Sequence, residues 1–260
     1  MTIEGNNGLN GRRLTGVLIL HGFTANLESV RPLFETVSRT GLDLVTPLLR
    51  GHGEESPDAL RNTTWHDWLE DAERALTDAT GPDGKLLVLG HSMGALLAIQ
   101  LAARHPSLVD SVILATPPLR LASPLAPGRP FHFLAPLVSM LVDRWELTPC
   151  FADPEEAIIP EQYRWAPTRA IMSMFELLES TTKLMGRVDS PVLILHGRHE
   201  SIVLPESAEM VMQAIRTPAS EKQVVWFEKT DHQIFCDCER QLAVKAVFDY
   251  IEQRRKVSLA

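Results

Sequence analysis

The sequence predicts an α/β fold in which a mostly parallel β-sheet carries helices on both faces. Short, continuous apolar runs alternate along the chain with longer segments of helical spacing. Such runs are typical of strands buried on both faces, and strands joined by helical crossovers are parallel. With 260 residues, the chain is long for one domain and short for two. A single core with one inserted subdomain therefore fits best.

The part of the chain up to residue 115 supplies the first predicted strands and helices. In order, these are a strand at 17–20, a helix at 27–39, a strand at 42–47, a helix at 65–79, a strand at 86–89, a helix at 95–104 and a strand at 111–115. Gly41 is suited to end the first helix, and Thr64 is suited to cap the second. The repeated order of strand and helix indicates a parallel sheet.

The alternation stops after Ala115. The stretch 116–190 begins with many prolines and shows helical spacing around 133–142 and 166–185. A structureless loop of this length is uncommon inside a compact domain, so we expect a small helical cap inserted after the strand that ends near Ala115. The predicted organisation is a core made of residues 1–115 and 191–260 and a cap segment made of residues 116–190.

The alternation resumes after the cap segment. A strand is expected at 192–195, a helix at 205–215, a strand at 223–227 and a final helix at 236–254. These elements continue the alternation of strand and helix.

The composition excludes several classes of function. The net charge of -8 argues against nucleic acid as a partner, because no basic excess displaces counterions. No apolar run approaches the ~18 residues of a membrane span, so stable membrane anchoring is not expected. Residues 1–13 are polar, without the apolar centre of a signal peptide. Cys150, Cys236 and Cys238 lack the spacing of a disulfide framework or a zinc site, which favours reduced thiols and a cytoplasmic location.

One stretch indicates the chemistry of the protein. The apolar run 86–89 leads directly into Gly90-His91-Ser92-Met93-Gly94, and a helix-forming segment follows. A strand, a tight turn and a helix form the context of a nucleophile elbow, in which a strained serine exposes its Oγ at the carboxyl end of the strand. The alternative is a chance Gly-x-Ser-x-Gly string on a turn, which the flanking strand and helix disfavour.

A nucleophilic serine needs a base and a third group that orients the base. These groups gather at the carboxyl ends of parallel strands. If the chain order is serine, acid, histidine, then His232 is the base, because it is the last histidine and follows the last strand. Glu200 is the predicted acid, since it follows the preceding strand. Asp231 stays open as the acid, and the plainer alternatives are a surface histidine and a solvated glutamate.

Acyl transfer also needs hydrogen-bond donors for the oxyanion of the transition state. The backbone N–H of Met93 lies at the start of the helix after the serine, and the backbone N–H of Phe23 follows the first strand. We predict these two amides as the oxyanion donors. His21 and His91 flank this site, and we interpret them as residues that pack the loops rather than as bases.

With these residues assembled, the chain resembles the α/β-hydrolases, and more narrowly the bacterial carboxylesterases related to monoacylglycerol lipases. The resemblance covers nearly the whole chain. The motifs that carry it are His21-Gly22-Phe23-Thr24, Gly51-His52-Gly53, Trp65-x-x-Trp68, Gly90-His91-Ser92-Met93-Gly94, Gly197-Arg198-His199-Glu200-Ser201-Ile202-Val203 and Asp231-His232-Gln233-Ile234, leading to Asp237 and Glu239-Arg240. The family usually has aspartate where this chain has Glu200, and a small residue where it has Asp231.

The resemblance implies a serine carboxylic-ester hydrolase that acts on short- to medium-chain acyl esters through a Ser-His-Glu triad and an acyl-enzyme. It implies that the cap segment covers an acyl pocket and that no cofactor or metal takes part. The expected partner is a small-molecule ester, and assembly into a homodimer is left open. A carbon–carbon bond hydrolase or a perhydrolase would use the same triad, and a non-catalytic ligand-binding member of the fold is a third alternative.

Overall fold

The computed structural model describes residues 13–259, which form a six-stranded parallel sheet and a separate two-stranded antiparallel sheet. The strands, in chain order, are β1 (Arg13–Leu20), β2 (Asp43–Val45), β3 (Gly84–His91), β4 (Val109–Ala115), β5 (Arg144–Glu146), β6 (Trp165–Pro167), β7 (Val192–Gly197) and β8 (Lys222–Phe227). In the large sheet the spatial order is β2-β1-β3-β4-β7-β8, and each neighbouring pair is parallel. The prediction of a mostly parallel sheet is confirmed.

Helices cover both faces of this sheet, as predicted. They are α1 (Pro32–Thr40), α2 (Trp65–Ala79), α3 (Met93–Arg104), α4 (Ala135–Leu141), α5 (Thr168–Leu184), α6 (Glu206–Ala214) and α7 (Arg240–Leu259). Alternate residues of β3 point to opposite faces of the sheet. Leu86 and Val88 belong to the core that includes α2 and α3, whereas Leu87 and Leu89 belong to the core that includes α1 and α7. The apolar run in the sequence therefore supplies two cores at once.

Most predicted elements lie where the sequence places them, and their ends have clear local causes. Gly41 takes the left-handed conformation with φ of 73° and ends α1. Thr64 and Asp67 form a capping box at the start of α2. The helix predicted at 27–39 is a short 3-10 turn over Leu27–Ser29 followed by α1, because Pro32 is suited to the first turn of a new helix.

The final helix differs more from the prediction. It was expected at 236–254, and it runs from Arg240 to Leu259. The residues before Arg240 form tight turns instead, in which the Asp237 side chain accepts backbone hydrogen bonds from Asp231 and Cys238. A carboxylate that bonds nearby amides in this way competes with helix formation.

The cap segment contains α4 and α5, close to the helical spacing seen in the sequence, together with the β5–β6 pair. The sequence does not reveal these two strands, because each is only three residues long. The division of the chain into a core and a separate cap unit stays a prediction. Within residues 13–259, no helix combines the length and apolarity that crossing a membrane requires. The N-terminal stretch predicted not to be a signal peptide lies, apart from Arg13, outside the described residues.

Candidate active site

Ser92 lies on a one-residue turn between β3 and α3, with φ of 53° and ψ of -118°. This is a strained conformation for a residue with a side chain, and such strain is typical of functional sites. Two glycines make the turn possible. A Cβ atom on Gly90 would lie 2.0 Å from the Gly94 carbonyl oxygen, and one on Gly94 would lie 2.2 Å from the Leu20 carbonyl oxygen. The backbones of β1, β3 and α3 therefore approach one another only because these positions have no side chain.

The structure brings together the three residues predicted as the triad. Nε2 of His232 lies 3.1 Å from Oγ of Ser92, and Nδ1 of His232 lies 2.6 Å from Oε1 of Glu200. Each residue follows a different strand of the sheet: β3 for Ser92, β7 for Glu200 and β8 for His232. This arrangement matches the geometry of a nucleophile, a general base and a group that orients the base.

Asp231, the alternative acid, does not contact the imidazole. Its carboxylate accepts hydrogen bonds from the Ser201 backbone N–H at 2.8 Å and from the Ser201 hydroxyl at 2.9 Å. It also accepts one from the backbone N–H of His232 at 2.8 Å. Asp231 therefore links the loop that carries Glu200 to the loop that carries His232. Sequence reasoning missed this structural role, because the partners of Asp231 come from a distant loop.

The electrostatics of the site suit a general base. Burial alone lowers the pKa of His232, but the charge of Glu200, its hydrogen bond and the charge of Asp231 together outweigh burial. The pKa of His232 is therefore raised above its ordinary value. The same groups favour the protonated form of this imidazole.

The other two histidines of the site are neutral, as expected of residues that pack loops. Burial lowers the pKa of His21 to about 4 and that of His91 to about 3. His21 Nε2 accepts a hydrogen bond from the backbone N–H of Leu49 at 3.2 Å. His91 Nε2 donates to the backbone carbonyl of His232 at 2.9 Å. It therefore holds the loop that carries His232 against the turn that carries Ser92. The sequence did not reveal this contact of His91.

The predicted oxyanion donors lie on adjoining segments, the loop after β1 and the first turn of α3. A Cβ atom on Gly22 would lie 3.4 Å from Cβ of Ser92, so the loop that contains Phe23 packs directly against the elbow. Within residues 13–259, neither the Phe23 amide nor the Met93 amide donates to a backbone carbonyl. Met93 is the first residue of α3, where N–H groups lack partners inside the helix. Both amides are thus free to donate to a ligand.

The cap segment holds the loop after β1. The backbone N–H of Tyr163 donates to the Thr24 carbonyl at 2.9 Å, and Ala25 forms a bridge with Gln162. The Tyr163 hydroxyl donates to the Gly51 carbonyl at 2.9 Å. These contacts fix the backbone next to the predicted oxyanion donor.

A cavity of about 370 Å³ opens onto Ser92 and His232. Most of its surface is apolar, and much of it comes from the cap segment. Apolar residues that line it are Leu121, Leu125, Val138, Trp145, Leu147, Ile171, Met172, Met174, Phe175 and Ile202. Gln162 and Gln233 add polar groups. In the part of the chain that the structure describes, no group of three His, Cys, Asp or Glu residues is placed to hold a metal ion.

The strand order and the serine on the turn after β3 define the chain as a protein of the α/β-hydrolase class. The profile of the family described as "Serine aminopeptidase, S33" matches residues 13–239. The chain belongs to this family of α/β-hydrolases. The resemblance to α/β-hydrolases inferred from the sequence motifs is confirmed.

Two curated relatives span almost the full chain. A thermostable monoacylglycerol lipase from Bacillus sp. (strain H-257) is 26% identical over 238 residues, which are 90% of this chain and 89% of the relative. A carboxylesterase from Bacillus subtilis (strain 168) is 23% identical over 242 residues, which are 91% of this chain and 92% of the relative.

Solved structures agree with the fold. One comes from a study of LipS and LipT, two metagenome-derived lipolytic enzymes, and it has a TM-score of 0.80 and 26% sequence identity. The match covers 94% of this chain and 95% of the chain in that structure. A soluble variant of monoglyceride lipase from Saccharomyces cerevisiae has a TM-score of 0.76 at 19% identity, and covers 96% of this chain and 89% of its own. The second is similar in fold.

Proposed function

We propose that this protein is a serine carboxylic-ester hydrolase that acts on short- to medium-chain acyl esters, with Ser92, His232 and Glu200 as its triad. The observation that carries the proposal is the 3.1 Å contact between Ser92 Oγ and His232 Nε2, with Glu200 on the other ring nitrogen. The relatives named as a monoacylglycerol lipase and a carboxylesterase bear out the predicted enzyme class, a carboxylic-ester hydrolase.

The proposed reaction begins when His232 accepts the proton of Ser92 and the serine oxygen attacks the ester carbonyl. The backbone amides of Phe23 and Met93 stabilise the oxyanion that develops on the carbonyl oxygen. His232 then gives its proton to the departing alcohol, and an acyl-enzyme remains on Ser92. Water, activated by the same imidazole, releases the acid by the reverse steps.

Glu200 has two proposed tasks in this reaction. Its hydrogen bond to Nδ1 of His232 fixes the tautomer that leaves Nε2 free to accept the serine proton. Its charge stabilises the imidazolium intermediate. Both tasks depend on the carboxylate staying aligned, and the backbone N–H of Val203 helps by donating to the same oxygen at 2.7 Å.

The apolar lining of the cavity supports an acyl chain as the bound group, and its volume supports a short- to medium-length chain. We further propose that residues 116–190 act as a cap over this cavity and that the protein works in the cytoplasm. The free state of the three cysteines supports a reducing compartment. Static light scattering of the purified protein distinguishes a monomer from the homodimer that the sequence leaves open.

Two measurements test the function. The protein should hydrolyse p-nitrophenyl butyrate, and a fluorophosphonate probe should label Ser92, as read by mass spectrometry of the labelled peptide. The matched control is Ser92→Ala, which should lose both turnover and labelling while keeping the melting temperature of the wild type. Turnover that survives in Ser92→Ala, or absence of an adduct on Ser92 in the wild type, would overturn the proposal.

A further inference from the structure

The two carboxylate oxygens of Glu200 have different surroundings. Oε1 accepts hydrogen bonds from His232 and Val203. Oε2 is buried and accepts no hydrogen bond from residues 13–259. It faces Nε2 of His196 at 3.8 Å, and this nitrogen is also buried without a hydrogen-bond partner in the described chain. Buried polar atoms are nearly always paired, so two unpaired atoms that face each other beside the triad need an explanation.

The other side of the His196 ring fixes where its hydrogen lies. Nδ1 of His196 is 2.8 Å from the carbonyl oxygen of Gly197, which can only accept a hydrogen bond. Nδ1 therefore carries the hydrogen. In the neutral ring, Nε2 then directs a lone pair toward the lone pairs of Glu200 Oε2. Two buried acceptors at this separation need a hydrogen between them.

We propose that His196 is a positioning residue of the triad, which holds Glu200 Oε2 across the 3.8 Å between that oxygen and His196 Nε2. At 3.8 Å the two atoms are too far apart for a direct hydrogen bond. A second proton on the ring would act through the charge of an ion pair, and with a neutral ring a buried water that donates to both atoms would act instead. With Oε2 held, Oε1 stays aligned on Nδ1 of His232. The inference rests on the proposed triad and places a second histidine on the far side of its acid.

The surroundings of His196 support this role. His196 is the fifth residue of β7, so its backbone is part of the rigid sheet. The Trp226 ring packs against it with the ring centroids 5.6 Å apart, and the Arg198 guanidinium lies over Trp226 at 4.8 Å. A ring held in this way can orient the carboxylate that it faces. The longer side chain of Glu200 also fits, since aspartate would draw the carboxylate back from the imidazoles.

The charged and titratable groups that act on His196 are Glu200, His232 and Glu206. Burial lowers the pKa of His196, Glu200 and Glu206 raise it, and His232 lowers it. Because burial prevails, the pKa of His196 lies below its ordinary value. Burial therefore favours the neutral form of the His196 ring near neutral pH.

The test compares two variants that separate hydrogen bonding from packing. His196→Gln keeps an N–H group that can reach Glu200, whereas His196→Phe keeps a ring against Trp226 and has no polar atom. The readout is the rate constant at which a fluorophosphonate probe labels Ser92, which reports on the triad whatever the natural ester is. This rate should fall about tenfold in His196→Phe and stay within about threefold of wild type in His196→Gln.

Coupling through Glu200 is measured in a double-mutant cycle. In the Glu200→Asp background, His196→Phe should cost little further rate, because the shorter carboxylate no longer reaches His196. The low-field proton resonance of His232 Nδ1–H should shift in His196→Phe and stay in place in His196→Gln. Melting temperatures of all variants show whether each one folds.

The outcomes separate the alternatives. Labelling that is faster in His196→Phe than in His196→Gln, or an equal loss in both Glu200 backgrounds, would overturn the role of His196. Absence of labelling in the wild type would overturn the proposed function instead. The pH dependence of the labelling rate shows how His196 acts. If the wild type is labelled faster than His196→Phe only below the pKa of His196, the ring proton is responsible. If the ratio of the two rates does not change with pH, a bridging water is responsible.

Discussion

Glu200 and Asp231 both contact His232, but through different atoms. Glu200 bonds the imidazole Nδ1, whereas Asp231 bonds the backbone N–H of His232 and both polar groups of Ser201. One carboxylate thus acts on the reacting ring, and the other holds together the loops that carry the ring and its partner. Two carboxylates that contact the same histidine therefore have different roles, which substitutions should separate.

Glu200→Gln should lower kcat for p-nitrophenyl butyrate by about 10³–10⁴-fold, because the neutral amide no longer fixes the tautomer or stabilises the imidazolium. Asp231→Asn is the matched control, since it removes a charge next to the same histidine without touching its ring. It should cost less than roughly tenfold in kcat and lower the melting temperature, because it weakens a link between loops. A larger kcat loss in Asp231→Asn than in Glu200→Gln would contradict the assignment.

The pH dependence follows from the raised pKa of His232. The base must be neutral to accept the serine proton, so kcat/KM should increase with pH and level off above an apparent pKa higher than the ordinary value of 6.5. In Glu200→Gln the residual activity should show this limb at lower pH, since Glu200 is the main group that raises the pKa. Measuring kcat/KM from pH 5 to 9 in both proteins checks the direction. A limb at the same pH in both would show that Glu200 does not act on His232.

Secondary-structure elements meet at the elbow with almost no free space. β3 leads into Ser92, α3 leads away from it, and the end of β1 lies against Gly94. The Ser92 backbone N–H donates to the Ala115 carbonyl at 2.9 Å, so β4 also fixes the turn. The position of the nucleophile therefore depends on close contact between four backbones.

Gly90→Ala should disrupt this contact, because its Cβ would lie 2.0 Å from the Gly94 carbonyl oxygen and backbone atoms cannot move apart cheaply. We expect labelling of Ser92 by a fluorophosphonate to fall at least about 100-fold, together with a lower melting temperature. Gly81→Ala is the control, since a Cβ there meets nothing within 4 Å. Similar labelling rates in the two variants would show that the turn tolerates a side chain at position 90.

A second link between elements is the buried carboxylate of Asp237. It accepts backbone hydrogen bonds from Ala152 at 2.8 Å, Asp153 at 3.2 Å, Asp231 at 2.8 Å and Cys238 at 2.8 Å. It thus joins the cap segment to the loop that carries His232. Burial raises the pKa of Asp237, but the four hydrogen bonds together lower it by more than burial raises it. The pKa therefore lies below its ordinary value.

A depressed pKa means that Asp237 stabilises the fold at a pH above the pKa of the unfolded chain, and that this contribution is lost as the pH falls through the folded pKa. Asp237→Asn should therefore lower the melting temperature by roughly 5 °C at pH 7, and the difference from wild type should shrink toward pH 3. Thermal unfolding measured across this range checks the sign. A difference that grows toward acid would contradict the role of the ionised carboxylate.

Sequence and structure agree where a pattern is local and differ where contacts are distant. The elbow and the strand that precedes it are one continuous signal, and the position of Glu200 and His232 after later strands follows from the parallel order. Asp237 and His91 could not be assigned in the same way, because their partners come from residues 152–153 and from His232. No spacing along the chain encodes such pairs. The short β5–β6 pair was missed for a related reason, since its stability comes from pairing rather than from its own three-residue strands.

At the scale of the whole molecule, the sheet supplies the reacting groups and the segment between β4 and β7 supplies most of the cavity wall. Ser92 and His232 line the cavity, and residues of α5 such as Ile171, Met174 and Phe175 add apolar side chains to its wall. Under the proposed function, the chemistry belongs to the sheet edge and the choice of acyl chain to residues 116–190. The lengths of esters that react well should therefore reflect the size and polarity of the cavity.

The dependence of kcat/KM on acyl length tests this view of the molecule. Each CH₂ group that moves from water into the apolar cavity contributes about 0.8 kcal/mol, or roughly fourfold in kcat/KM. From p-nitrophenyl acetate upward, kcat/KM should rise by about this factor per carbon and then fall once the chain exceeds the cavity of about 370 Å³. Ser92→Ala, measured with the same esters, corrects for spontaneous hydrolysis. A flat series, or one that is highest for acetate, would show that the cavity does not bind the acyl chain.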